Sequence, residues 1–342
     1  MYDQARQTRE RQVLPHNSPP VLFERTQQRI AAIEAVIGEP MLVYWNSASG
    51  AVCKNDVVAL HSVLQKAGHA KRLSLFVKSG GGSGEAALRM VHLLRQHTDY
   101  LTVLVPLECA SAATMLSLGA DRILMGPLAH LSAVDTALTH DLSPLDRDNH
   151  RVKVSQDELQ RVARLWQGAA GGDASNPYAS LFQFVHPLVI GAVDRSSALS
   201  TRLCIEILSH HMRDAAKAEA ISNTLNSAYP SHSYPITLPE ACRIGLNAAP
   251  LDDRLNGMLL DLNEAYCEMG QSATTDFDER NSHDESISNI IEGRGTQMFF
   301  QYEKDWHYRA EERRWISLND RSSWRKAESV DGRTMVTQVH IR

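Results

Sequence analysis

"RLSLFVKSGGGSGEAALRMVHLLRQHTDYLTVLVPLECASAATMLSLGADRILMGP", residues 72–127, is the stretch of sequence that decides the fold. Strand-like apolar runs alternate in it with segments of helical period, and the connections between them are short. Strands and helices that alternate in this way build a largely parallel sheet covered by helices. Because the pattern extends over roughly residues 40 to 135, we predict an α/β fold there.

The composition is that of an ordinary globular protein. The chain has 342 residues, 43% of them hydrophobic, and a formal net charge of −5. This length and hydrophobic content are ample for a core, and the scattered Lys and Arg argue against a nucleic-acid partner. The five cysteines lie far apart without a CxxC pair, so neither a zinc site nor a disulfide framework is predicted. With neither a secretory signal nor a long apolar run, we expect a cytoplasmic protein without a membrane span.

Shifts in composition along the chain predict four segments. A polar N-terminal lead covers residues 1–20, and one α/β domain, helical in its C-terminal part, covers 21–265. Residues 266–295 are polar, which predicts a flexible linker or loop. Residues 296–342 are rich in aromatic and charged side chains, and we expect a C-terminal extension there.

Three consecutive glycines, Gly80, Gly81 and Gly82, follow the strand-like run that ends near residue 78. They do not form a phosphate-binding P-loop, which needs a following Lys and a hydroxyl residue, and the spacing fails the dinucleotide fingerprint. Two interpretations remain. The turn can present free backbone N–H groups to an oxyanion, or it can merely need residues at positive φ.

The next strand ends at a serine with small neighbours. Ser111 lies where the strand-like run gives way to a helix, between Ala110 and Ala112. A serine at such a junction is placed as a nucleophile would be, and the small side chains let a substrate carbonyl approach closely. The alternative is a serine that only caps the helix.

Three ordered motifs carry a resemblance to a known family: "KSGGGSGEAALRMVHLL", "ASAATMLSLGADRILMGPLAHLSAVDTAL" and "SHSYPITLPEACRIGL". They resemble the Clp protease and signal peptide peptidase A superfamily and, within it, the serine dehydrogenase proteinase family, over roughly residues 40 to 250. The resemblance implies a ClpP/crotonase-like fold of repeated ββα units and hydrolysis of peptide bonds by a serine. It further implies no cofactor, a peptide or protein substrate and a homo-oligomer. A regulatory protein partner is a separate expectation.

The resemblance also implies roles for individual residues. Ser111 matches the nucleophile, and Gly81 and Gly82 match the glycines of the turn. The backbone N–H groups of Gly82 and Ala112 would form the oxyanion hole. Asp135, within the second motif, is expected to support the site rather than to act as the base.

The general base is the open part of the predicted site, because a serine hydroxyl needs a neighbour that accepts its proton. Lys153 falls where signal peptide peptidases carry their base lysine, and Val152 and Val154 flank it. We predict Lys153 as the base and His140 as the second candidate. A solvated lysine and a loop histidine are the alternatives.

Several positions depart from the family's motifs. Gly80 stands where proline is frequent, Ala113 where glycine is frequent, and Ser132 replaces a glycine. These departures keep a catalytically idle scaffold open as an alternative function. A crotonase-type acyl-CoA enzyme is less favoured, because that chemistry needs two N–H donors and an acid or base but no serine. His232, in the third motif, matches a family histidine for which the residues indicate no role.

Overall fold

The structure is a computed structural model that describes residues 17–147, 149–169 and 181–341. Most of the predicted polar lead over 1–20 therefore lies outside the described residues. The described strands are β1 (Met41–Asn46), β2 (Ala70–Lys78), β3 (Thr98–Val105), β4 (Glu108–Cys109), β5 (Arg122–Met125), β6 (His130–Leu131), β7 (Ala137–Leu138), β8 (Val154–Ser155), β9 (Ala248–Pro250), β10 (Ala273–Asp276), β11 (Asn281–Gly293), β12 (Thr296–Arg309), β13 (Arg314–Asp320), β14 (Ser323–Val330) and β15 (Arg333–Val339).

Helices connect the parallel strands and cover the sheet. The described helices are α1 (Phe23–Ile37), α2 (Lys54–Ala67), α3 (Gly84–His97), α4 (Ala112–Leu118), α5 (Gln156–Ala169), α6 (Pro187–Ser209), α7 (Ala215–Ser227), α8 (Leu238–Arg243) and α9 (Asp253–Met269). Between residues 40 and 126, strands and helices alternate as the sequence predicts. The α/β fold class is confirmed.

One sheet of eleven strands organises the chain, in the order β15-β14-β12-β11-β1-β2-β3-β5-β9, with β10 beside β11 and β13 beside β12. From β1 to β9 neighbouring strands are parallel. On the other side of β1 the neighbours are antiparallel. The sheet is therefore mixed, with its parallel half built from the alternating segment and its antiparallel half from the C-terminal strands.

Both faces of the parallel half are covered. All six residues of β1 are buried. Because successive side chains of a strand point to opposite faces, its apolar side chains divide between two core clusters. Leu42 and Tyr44 pack in the cluster that includes side chains of α2, α3 and α4. Met41 and Val43 pack in the cluster that includes side chains of α1 and α9. Full burial of one such apolar side chain contributes about 1.5–3 kcal/mol, so these two clusters are the main source of stability.

The predicted linker over 266–295 is wrong. Helix α9 continues to Met269, and β11 lies inside the sheet, with β1 on one side and β12 on the other. Polar residues of this segment can be buried because their polar groups are hydrogen-bonded. Glu292, for example, accepts hydrogen bonds from Thr26 Oγ1 at 2.7 Å and Tyr266 Oη at 2.7 Å. Satisfied polar groups can occupy a core, so a polar composition did not mean a loop here.

The predicted C-terminal extension over 296–342 continues the same sheet. Strand β12 pairs with β11 along its length, and β14 and β15 follow at the sheet's edge. Trp324 and Ala327 of β14 are buried in the two core clusters. The aromatic and charged residues of this segment therefore form an integral half of the sheet rather than an appended arm.

Candidate active site

The glycine turn after β2 is pinned to the segment before α2. Val52 N–H donates to the carbonyl oxygen of Gly81 at 2.7 Å, and Ser83 N–H donates to that of Val52 at 2.8 Å. Gly81 has φ +109° and Gly82 has φ +146°. These values lie in the region that glycine adopts without steric cost and other residues avoid. The turn therefore has a defined shape that depends on glycine at two positions.

The Gly82 N–H group of this turn is free. The bridge to Val52 uses the carbonyl of Gly81 and the N–H of Ser83, while Gly81 N–H donates to Ser79 Oγ at 3.1 Å. Gly82 N–H makes no hydrogen bond to any residue that the structure describes. Since Gly82 is exposed, this donor is available to a ligand.

Ser111 lies in a tight turn between β4 and α4. Ala113 N–H donates to the Ala110 carbonyl oxygen at 2.9 Å, and Ser111 has φ +52° and ψ −120°. These angles are those of the first central position of a type II′ turn, which glycine usually occupies. A non-glycine residue held there carries about 1–3 kcal/mol of backbone strain, and such strain is concentrated at functional sites.

Ser132 holds Ser111 in this conformation. Ser111 N–H donates to Ser132 Oγ at 2.7 Å, and that hydroxyl donates to the Ala133 carbonyl oxygen at 2.9 Å. Ser132 N–H donates in turn to Thr114 Oγ1 at 3.0 Å. Ser132 is buried, so this small network is shielded from water. Its presence gives a physical reason for the serine where the resembled family has glycine.

Strand pairing brings the glycine turn against Ser111. Ser79 N–H donates to the Glu108 carbonyl oxygen at 3.1 Å, and Ala110 N–H donates to that of Ser79 at 2.9 Å. As a result, a Cβ built on Gly81 would lie 2.5 Å from Ser111 Cβ and 3.1 Å from its Oγ. Only glycine leaves room for the serine at this contact.

The Ser111 hydroxyl itself is uncommitted. Within the described ranges, Ser111 Oγ has no hydrogen-bond partner, and neither has the N–H of Ala112 at the start of α4. Ser111 is half-buried. A free hydroxyl, a free Gly82 N–H and a free Ala112 N–H therefore lie in two chain segments that are in direct contact.

A cleft of about 620 Å³ opens over these groups, and Ser111, Gly82, Asp135, Lys153 and His232 are among the residues that line it. Four of these five are residues that the sequence predicts for the site. The structure thus brings the predicted nucleophile, turn glycine, supporting aspartate and lysine base to one cavity. The fifth, His232, was assigned no role from the sequence.

The two predicted bases differ in their positions. Lys153 lines the cleft, is exposed, and makes no hydrogen bond or ion pair with the described residues. His140 does not line the cleft, and its Nδ1 accepts the Leu142 N–H at 3.0 Å within its own turn. Of these two, only Lys153 shares a cavity with Ser111.

Asp135 and His232 form a pair across the cleft wall. His232 Nδ1 lies 2.9 Å from Asp135 Oδ1. This hydrogen bond raises the pKa of His232, partial burial lowers it, and the charge of Lys153 lowers it further. The two residues are 97 positions apart in the chain, so the only sequence signal for His232 was its position in the third motif.

A smaller cavity of about 80 Å³ adjoins Ser111 and Gly82, lined by Met115, Leu199 and Leu203 among others. Besides these apolar side chains, Glu85, Ser196 and Ser200 also line this cavity next to Ser111.

Neither a metal-binding cluster nor a membrane-spanning helix is found among the described residues. No set of three or more His, Cys, Asp or Glu side chains within 17–147, 149–169 and 181–341 is arranged to hold a metal ion. Among the helices described for this chain, none has the length and apolarity needed to cross a membrane.

The chain shows little similarity in sequence to characterised proteins. No family model matches the chain. It is 24% identical over 208 residues to an uncharacterized protein of Methanocaldococcus jannaschii, a match that covers 60% of this chain and 63% of that protein. The chain thus spans about 63% of the length of the curated relative that it matches.

The chain also shows a weak structural similarity to several solved proteins. The chain is similar to the 1510-N membrane-bound stomatin-specific protease with 14% identity and a TM-score of 0.38, covering 68% of this chain and 86% of that one. A variant of that protease in complex with a substrate peptide has the same identity and TM-score, 14% and 0.38, over 68% of this chain and 81% of that one. ClpP1 from Listeria monocytogenes follows with 12% identity and a TM-score of 0.36, covering 69% of this chain and 99% of that one.

Proposed function

We propose that this protein is a serine hydrolase that cleaves peptide bonds, with Ser111 as the nucleophile. One observation carries the proposal: the uncommitted Ser111 hydroxyl sits in a strained turn, against a glycine turn with a free N–H, at a cleft of about 620 Å³. Backbone strain of this kind occurs most often at functional sites, and a hydroxyl without a protein partner is free to react with a substrate.

In the proposed reaction, Ser111 Oγ attacks the carbonyl carbon of the scissile peptide bond. The carbonyl oxygen becomes an oxyanion and accepts hydrogen bonds from Gly82 N–H and Ala112 N–H. Each such donor is typically worth about 3 kcal/mol of transition-state stabilisation, because it is already in place before charge develops. Collapse of the tetrahedral intermediate releases the amine, and water then hydrolyses the acyl-enzyme.

A basic side chain must take the proton from Ser111 and return it to the leaving amine. The cleft offers Lys153, which is the base that the sequence predicts, and His232, which the tertiary structure adds. Asp135 supports the site through its hydrogen bond to His232. The chemistry requires one of these two bases, and it requires no cofactor.

The smaller cavity beside Ser111 supports a substrate with a side chain next to the scissile bond. Met115, Leu199 and Leu203 on its wall offer contacts for a small aliphatic side chain, beside the polar Glu85 and Ser200. Homo-oligomerisation is a further part of the proposal and rests on the family resemblance alone. A regulatory protein partner and a cytoplasmic location are also proposed, as predicted from the sequence.

A fluorophosphonate probe tests the proposal, because it reacts covalently with an activated serine hydroxyl. We expect the wild-type protein to gain one adduct at Ser111 by mass spectrometry and Ser111→Ala to gain none. Ser62→Ala is the matched control, since the Ser62 hydroxyl donates to the Val58 carbonyl oxygen on α2. A wild-type protein that is folded by circular dichroism and remains unlabelled would favour the idle scaffold instead.

A further inference from the structure

The predicted serine–lysine pairing leaves the Asp135–His232 pair of the cleft unused. The Nδ1–H of His232 donates to the Asp135 carboxylate at 2.9 Å. With Nδ1 bearing the proton, the neutral ring has its lone pair on Nε2. The side chain of His232 is 52% exposed and lines the cleft with Ser111, so this second nitrogen has room to act.

We propose that His232 is the general base that activates Ser111 and that Asp135 positions it. The inference rests on the proposed function. It replaces the lysine base that the sequence predicts by a histidine that follows Ser111 by more than a hundred residues along the chain.

The surroundings of the two bases favour His232. Lysine acts as a base where burial removes water from its amine, and Lys153 is exposed. Histidine titrates near neutral pH and needs no such burial. A carboxylate on its other nitrogen orients the ring and stabilises the imidazolium that forms in the reaction. The Asp135 carboxylate supplies that contact.

The proton moves through His232 without any further reactant. As the bond from Ser111 Oγ to the carbonyl carbon forms, the hydroxyl proton passes to His232 Nε2. As the carbon–nitrogen bond breaks, the imidazolium returns that proton to the leaving nitrogen. A water molecule repeats the cycle on the acyl-enzyme, so the enzyme ends in its starting state.

The ionisable groups that line the cleft around His232 are Asp135, Lys153, Asp157 and Glu158. Asp157 pairs with Arg161 on α5, and Glu158 accepts the Ser155 N–H at 3.2 Å. Asp135 raises the pKa of His232, and Lys153 lowers it. Because the neutral ring is the active form, labelling of Ser111 should increase as the pH rises through the pKa of His232.

The test is the rate at which the fluorophosphonate probe labels Ser111, measured from about pH 5 to 9. His232→Ala should label about 100- to 10,000-fold more slowly than wild type, the range that general-base catalysis contributes, and added imidazole should restore part of the rate. Lys153→Ala should stay within about tenfold of wild type, since its charge only modulates the histidine. His61→Ala, an exposed histidine hydrogen-bonded to Gln65 on α2, is the matched control and should label as wild type does.

Asp135→Asn tests whether Asp135 positions His232 for catalysis or only stabilises the fold. It removes the charge that raises the pKa of His232, so the midpoint of the pH–rate curve should move to lower pH, which a purely structural role would not cause.

The proposal is overturned in three ways. His232→Ala can label at the wild-type rate while Lys153→Ala does not. His232→Ala can resist rescue by imidazole while Asp135→Asn keeps its midpoint. Finally, the wild-type protein can remain unlabelled, in which case the proposed hydrolase function falls as well and the inference falls with it.

Discussion

Replacing Gly82 by alanine tests the part of the site that forms the glycine turn. Gly82 has φ +146°, and a Cβ there would lie 2.3 Å from the carbonyl oxygen of Val52 and 2.6 Å from its nitrogen. Both contacts are with backbone atoms, so no side-chain rotation relieves them. The bridge between the turn and Val52 must open for the methyl group to fit.

The expected cost has two parts. A non-glycine residue at such a φ costs about 1–3 kcal/mol, and an added methyl group in a filled space costs typically about 1–3 kcal/mol. We therefore expect Gly82→Ala to lower the free energy of unfolding by about 2–6 kcal/mol. It should also slow labelling of Ser111, because the Gly82 N–H moves with the turn.

Gly80→Ala is the matched control two positions away. A Cβ on Gly80 would meet only Glu108 Oε1, at an ordinary 3.8 Å, and Gly80 is exposed. The substitution reduces the freedom of the unfolded chain, so we expect no loss of stability and a gain of up to about 1 kcal/mol.

Urea unfolding followed by circular dichroism measures both variants against wild type. A change of midpoint at constant slope reports a change of stability. Equal midpoints for Gly82→Ala and Gly80→Ala would refute the reasoning, because they would mean that the turn accepts a side chain where the structure leaves no space. Normal labelling of Ser111 in a destabilised Gly82→Ala variant would separately contradict the role of its N–H.

Three further predictions concern the serine and the histidine. Ser132→Ala leaves the Ser111 N–H without its acceptor and should lower the free energy of unfolding by about 1–3 kcal/mol, measured by urea unfolding; an unchanged midpoint would contradict the anchoring role. Ser111→Gly relieves the strain at φ +52° and should raise the thermal midpoint, by about 1 kcal/mol in stability, while abolishing labelling; a lower midpoint would argue against strain. The hydrogen bond to Asp135 raises the pKa of His232, so its stabilisation is fully present below the unfolded pKa near 6.5 and is lost as pH rises through the folded pKa. The difference in stability between wild type and Asp135→Asn should therefore shrink from about pH 5.5 to about pH 8.5, and a constant difference would refute this linkage.

Local pattern was enough to predict the parallel half of the fold. In α3 the apolar residues recur at helical spacing, and in β2 they form a short, nearly continuous apolar run typical of a strand buried on both faces. These elements could therefore be located without knowing what packs on them. The glycine turn and the serine junction were visible for the same reason, since both are short segments whose backbone requirements show in the residue types.

The antiparallel half could not be predicted in this way. Strand β11 is polar by composition, and its position beside β1 depends on partners such as Thr26 and Tyr266 that bind its Glu292. A linker was the reasonable expectation from the sequence. Only the tertiary structure shows that the polar groups of this strand are satisfied inside the sheet.

The sequence by itself determined the α/β class, the glycine turn and the candidate nucleophile Ser111, because each depends on contacts between residues close in the chain. The tertiary structure decided which groups share the cleft with that serine. In the structure, His140 is hydrogen-bonded within its own turn and Lys153 lines the cleft. His232 is hydrogen-bonded to Asp135, 97 residues earlier in the sequence. The physical reason is that a general base must lie at the right distance and direction from the serine hydroxyl. The number of residues between two positions in the sequence determines neither of these once the strands and helices have packed together.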